Sequence, residues 1–278
     1  MDQTIVFGHH EHLLGIESIV DSTNPIAIIM MTPGMLHNVG PFRMHIDIAR
    51  SLEQQGISSL RFDISGIGES LGIGTAGKSL DRAATEAIEA MNYLAESHGI
   101  QQFILFGLCS GADDSIQTAL QDDRVKGVIT LDGLAYKTTK FKFKESLLLA
   151  RKMLSLGKWI NKYHHLTGND DSPTSLAMGN DKREFPDTAQ QACKELQQLV
   201  DGDVQLHFIY TGGTDYYNYP EQFYEMLPGM KWQGTESTQY FSQMDHVVML
   251  CEDRKKLVEH ISQKAIGMTE NCNAAAAV

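Results

Sequence analysis

The sequence predicts an α/β fold, a mostly parallel, doubly wound sheet with a helical insertion. Three observations carry this. Short, largely apolar runs recur at 27–31, 58–62, 103–107 and 127–131, as expected of strands buried on both faces of a parallel sheet. Amphipathic stretches of helical period alternate with them. The alternation then breaks from about 137 to 203, and so long an interruption between strands reads as a lid. At 278 residues and 42% apolar composition, the chain can bury the core of one large domain.

In chain order, strands are expected at about 3–9 and 12–20, then AIIMM at 27–31. A helix follows at 44–55, with apolar residues at 44, 46, 48, 49 and 52 and Gly56 as its stop. After SSLRF at 58–62, a second helix at 80–98 aligns Ala83, Ala87, Ile88, Met91, Leu94 and Ala95, with Ser79 as N-cap and Gly99 beyond its end. Strands at 103–107 and 125–131 precede the insertion, which holds helical segments at 145–163 and 188–200 around a polar loop. Strands at 204–210 and 238–244 and a helix at 247–265 close the domain. The core thus comprises 1–136 and 204–268 and the lid 137–203, and the tail 269–278 is expected to be disordered.

The net charge of −12 argues against nucleic acid as a partner. Cys109, Cys193, Cys251 and Cys272 form no C-x-x-C and no metal-type spacing, which fits free thiols in a reducing compartment. MDQTIVFGHH lacks the basic and apolar regions of a signal peptide. No run of 18 apolar residues suggests a membrane span. A cytoplasmic location is the expectation. HHEH at 9–12 would place His10 and His12 on one strand face, but no further ligand cluster accompanies them. No metal or organic cofactor is expected.

The chemistry concentrates in FGLCSGADDS at 106–115. Gly107-x-Cys109-x-Gly111 has the spacing of a nucleophile elbow, with glycines where a sharp strand-to-helix turn leaves no room for side chains. Its centre is Cys109. Ser110 would have Leu108 in place of the first glycine, so its expected role is a backbone N–H in the oxyanion hole. A thiol at a helix N-terminus is biased towards thiolate. A buried structural cysteine is the plainer reading of such a residue taken alone. Partners should follow in the order acid, then histidine. Asp215, in TGGTDYYNYP after the strand at 204–210, is the preferred acid, and Asp132, in LDG, is the alternative. His246, in MDHVV before the closing helix, is the base. The second oxyanion donor is placed at the N–H of Met35, with Leu36 next, in TPGMLHNVGP. His37 and Arg43 of that loop are candidates for substrate contact or for structural roles.

With TPGMLHNVGP, RFDISGIGES (61–70), GLCSGA, GGTDYYNYP and MDH, the chain resembles the α/β-hydrolase superfamily over about 5–265. Gly-Leu-Cys is similar to the elbow of exosortase-associated hydrolases. A Cys-Asp-His triad resembles that of dienelactone hydrolases, and the lid resembles those of thioesterase-like and lysophospholipase-like members. RFDISGIGES is similar to the turn these enzymes carry after their second parallel strand, where it shapes the scaffold. The resemblance implies hydrolysis or transfer of an acyl group from an ester or thioester through an acyl-cysteine. A non-catalytic binding protein on the same fold, or a C–C or lactone hydrolase of a small metabolite, are the rival readings. Between Lys137 and His165 eight Lys or Arg face one acid, Glu145. Such a basic rim would suit an acidic acyl carrier protein, coenzyme A or an anionic membrane surface.

Overall fold

The computed structural model describes residues 2–20, 25–34, 36–72, 79–154 and 186–276. Among these, eight strands form one sheet: β1 (Asp2–Phe7), β2 (Leu13–Ser18), β3 (Ile26–Met31), β4 (Ser58–Phe62), β5 (Gln102–Leu108), β6 (Val125–Leu131), β7 (Gln205–Thr211) and β8 (Glu236–Phe241). Their order is β1-β2-β4-β3-β5-β6-β7-β8. The β1–β2 and β2–β4 pairs are antiparallel and the other five are parallel. The helices are α1 (Met44–Gln54), α2 (Ser79–His98), α3 (Ser110–Ala119), α4 (Thr139–Leu154), α5 (Ala189–Asp201), α6 (Gln222–Met226) and α7 (Cys251–Ala276).

The apolar strands serve two cores at once. Ala27, Ile29 and Met31 of β3 and Phe103 and Leu105 of β5 point to one face, with α2, α3 and α5. Ile26, Ile28, Met30, Ile104 and Phe106 point to the other, with α1 and α7. This is why the runs are continuous rather than alternating. Each fully buried Ile, Leu, Met or Phe contributes about 1.5–3 kcal/mol.

Several expectations change. Residues 9–11 form a 3₁₀ turn with His10 and Glu11 in left-handed conformations, so the expected strand face does not exist. His12 is buried, its Nδ1 2.6 Å from the carbonyl of His9. Among the described residues, no group of three or more His, Cys, Asp or Glu could hold a metal ion. Of the expected insertion, 155–185 lies outside the described residues. Its second helix, α5, buries Ala192, Leu196 and Val200 in the same core as α2 and α3. The supposed tail continues α7 as far as Ala276. No helix among the described residues is long and apolar enough to cross a membrane.

Candidate active site

Parallel strands bring their C-terminal ends to one edge, where ligand sites of open α/β sheets gather. Leu108 of β5 pairs with Leu131 of β6, so the residues that follow, Cys109 and Asp132, emerge side by side. Cys109 ends the strand at φ 56° and ψ −119° and caps α3. Its N–H reaches the carbonyl of Leu131 at 2.8 Å. The flanking glycines are sterically required. A Cβ on Gly107 would run into the Gly111 carbonyl, and one on Gly111 would sit 2.6 Å from the backbone oxygen of Met31. The thiol therefore stands on a strained turn, at the positive end of α3.

The imidazole of His246 meets this turn from the loop after β8. Gly213 lets the backbone of that loop pass close by, because a Cβ there would strike the His246 backbone nitrogen. Cys109 is close enough to His246 to act on the charge of its imidazole. His246 Nδ1 lies 2.8 Å from Asp132 Oδ2; the carboxylate is 0% exposed and the imidazole 23%. The N–H and hydroxyl of Thr211, at the end of β7, donate to the two Asp132 oxygens at 2.7 Å each. Asp132 also adopts φ 51°. Burial works against a charged imidazole. The hydrogen bond to Asp132, the nearness of Cys109 and the negative charges of both outweigh it, pushing the His246 pKa from 6.5 up to about 10.

The structure brings His246 to Asp132, the alternative acid. Asp215 is exposed in the loop after β7, beyond Gly212 and Gly213. The buried carboxylate on the imidazole is the alternative, Asp132. The signal for it was its position: like Cys109, it directly follows a strand, and the two strands are neighbours. What sequence reasoning missed was Thr211, whose two donors fix that carboxylate.

Ser110 opens α3, with its backbone N–H at the helix start beside the thiol. Its hydroxyl is turned away, accepting the Gly34 N–H at 2.7 Å. That bond brings the loop after β3 against the elbow. Met35 lies outside the described residues. Leu36 donates its N–H to the Pro33 carbonyl at 3.0 Å, so that donor is already engaged. His37 reaches Asp63 at 3.3 Å rather than the thiol. Asp63 also receives the Asn38 N–H at 2.5 Å and its side-chain amide at 2.8 Å, while Arg61 donates to Asn38 at 2.8 Å. The RFDISGIGES turn therefore braces the loop beside the elbow. On α4, Lys140 is held by Glu221 at 3.4 Å and Glu225 at 3.2 Å, and Lys137 lies 3.9 Å from Glu145. The basic face is thus partly neutralised.

The family described as serine aminopeptidase, S33, matches residues 23–201. The chain belongs to that family, within the α/β-hydrolase superfamily. No curated protein matches the sequence. Similar solved structures include an α/β-hydrolase from Penicillium sp. sh18, at 19% identity and TM-score 0.58 over 98% of each chain. A dienelactone hydrolase from Anabaena variabilis aligns at 11% identity and TM-score 0.58 over 95% of each chain. An esterase from Pyrococcus furiosus aligns at 12% and 0.60, over 95% of this chain and 89% of that one. At these identities the likeness is one of fold. The α/β-hydrolase family description names a serine, and this chain places Cys109 at the centre of the elbow.

Proposed function

We propose that this α/β-hydrolase cleaves or transfers an acyl group held in an ester or thioester, by way of a covalent acyl-cysteine on Cys109. The observation that carries the reading is the chain of contacts from the strained Cys109 thiol to His246 to the buried Asp132. The Cys109 thiolate attacks the acyl carbon, and the carbonyl electrons move to oxygen. The backbone N–H of Ser110 supports that oxyanion, with the Met35 N–H as second donor. As the intermediate collapses, the leaving group takes a proton from the His246 imidazolium. His246 then removes a proton from water or another acceptor, which attacks the thioester and frees the thiol. Asp132 holds the imidazole orientation and its charge. No metal or organic cofactor enters these steps.

We place the exposed apolar side chains of the two loops beside the thiol at the rim of the substrate entrance. Leu36, Phe42, Met249 and Leu250 are all exposed and lie on the loops after β3 and β8. They support an apolar acyl group. A carrier protein or coenzyme A remains the proposed source of a thioester, meeting the lysines of α4; a KM for carrier-bound substrate that ignores salt would rule it out. A cytoplasmic setting would keep the thiol reduced.

Intact-protein mass spectrometry with acyl-thioester and activated-ester donors tests the reading. An acyl adduct on the wild type that Cys109→Ala lacks supports it, and the adduct's lifetime with added amine separates hydrolysis from transfer. An adduct retained in Cys109→Ala overturns it.

A further inference from the structure

The loop that carries His246 is held from two sides. Asp245 takes the backbone donors: its carboxylate accepts the N–H of Val247 at 3.1 Å and of Met249 at 3.0 Å. Arg254, one turn into α7, takes the acceptors. Its Nη1 donates to the carbonyls of Val248 at 3.1 Å and Met249 at 2.5 Å. Between them Val248 is buried and left-handed, at φ 51°. For a β-branched residue that conformation is strained and persists only where its surroundings hold it. The same guanidinium stacks on Phe42, its carbon 5.0 Å from the ring centre. Phe42 is itself left-handed, at φ 48°, on the loop that leads from the Ser110–Gly34 contact into α1. Arg254 thus touches both loops that flank the thiol.

We propose that Arg254 is a positioning residue for the Cys109–His246 pair, clamping the histidine loop to the loop after β3 across the mouth of the site. The proposal rests on the reading of Cys109 and His246 as a reactive pair. Two free carbonyls next to a strained valine have no reason to keep the imidazole between Cys109 and Asp132. A planar guanidinium can serve both carbonyls while stacking on an aromatic face, which an ammonium does less well.

The test is alkylation of Cys109 by iodoacetamide in the full chain, followed by peptide mass spectrometry across a pH series. No substrate is needed. In the wild type the thiolate paired with His246 reacts well below the ~8.5 midpoint of an ordinary cysteine. Arg254→Gln is expected to move the midpoint up towards that value and to slow alkylation at neutral pH about tenfold. Arg254→Lys, which keeps the charge and one donor, should fall between the two. A merely structural arginine would lower Tm and leave the midpoint where it was, and that result overturns the proposal. Should Arg254→Gln not fold, an unshifted midpoint in Arg254→Lys overturns it equally. A wild-type midpoint near 8.5 would instead sink the pair itself, leaving Arg254 nothing to position.

Discussion

Asp132 and His246 stand 114 positions apart and meet at 2.8 Å. Thr211 donates to both oxygens of the same carboxylate, so the acid has support besides the imidazole. Asp132→Asn should therefore reduce acyl-adduct formation on Cys109 by ~10²–10⁴-fold, because an amide cannot hold the imidazolium charge. Asp215→Asn should leave the rate unchanged. Rapid-quench mass spectrometry of the adduct compares the two, and the opposite ranking would return the acid to Asp215.

His246 also links pH to stability. Its folded pKa of about 10 lies above the ordinary 6.5. The stabilising contribution is therefore complete below about pH 6.5 and fades as pH rises through 10. The Tm gap between wild type and His246→Ala should be constant in mild acid and narrow in alkali. Scanning calorimetry in a pH series reads it, and a gap that widens in alkali contradicts the assignment.

A second histidine works in the other direction. Burial, then the charges of His260 and Lys264, depress the His207 pKa to about 3, against a smaller opposing effect of Ser237. Its Nε2 lies 2.8 Å from His260 Nε2 and its Nδ1 2.7 Å from the Ser237 hydroxyl. The fold holds it neutral, so this contribution is present above about pH 6.5 and is lost as pH falls towards 3. Wild-type Tm should drop across that window. His207→Gln, neutral throughout, should show a shallower drop, measured by circular dichroism.

Gly107→Ala would press a methyl group into the Gly111 carbonyl. The turn must open, at a cost of roughly 2–4 kcal/mol, and the thiol moves with it. Both chemical denaturation and Cys109 alkylation should register the change. An alanine variant with wild-type midpoint and reactivity would show that the elbow tolerates a side chain.

The apolar rim makes a prediction about substrate. Leu250→Asp should raise KM for long-chain esters about tenfold while leaving a two-carbon ester nearly untouched. Steady-state kinetics on a chain-length series separates the two, and equal losses on both would mean that the rim serves folding or another surface.

Much of this could be read before any coordinates. Runs such as AIIMM and FILFG must be buried on both sides, and the Gly107–Cys109–Gly111 frame has few other uses. The cysteine, the histidine and their order came from local patterns. The acid did not, because both aspartates follow strands and local turn chemistry favours each. The preference for Asp132 rests on its contact with His246 and on Thr211, a donor whose relevance depends on strand adjacency. HHEH misled for a related reason: strand alternation assumes an extended backbone, and Gly8 turns the chain into a 3₁₀ segment instead. The long gap between the strands β6 and β7 suggests an insertion, and only packing shows that the apolar stripe of α5 joins the core beside the sheet.

The hydrogen bond from Gly34 to the Ser110 hydroxyl has a consequence for chemical profiling. A fluorophosphonate reagent needs a serine oxygen that is free and paired with a base, and here the serine beside the elbow centre is engaged with the backbone. In a labelled proteome this protein would escape a serine-hydrolase screen despite its family, and would surface among the targets of iodoacetamide-type reagents.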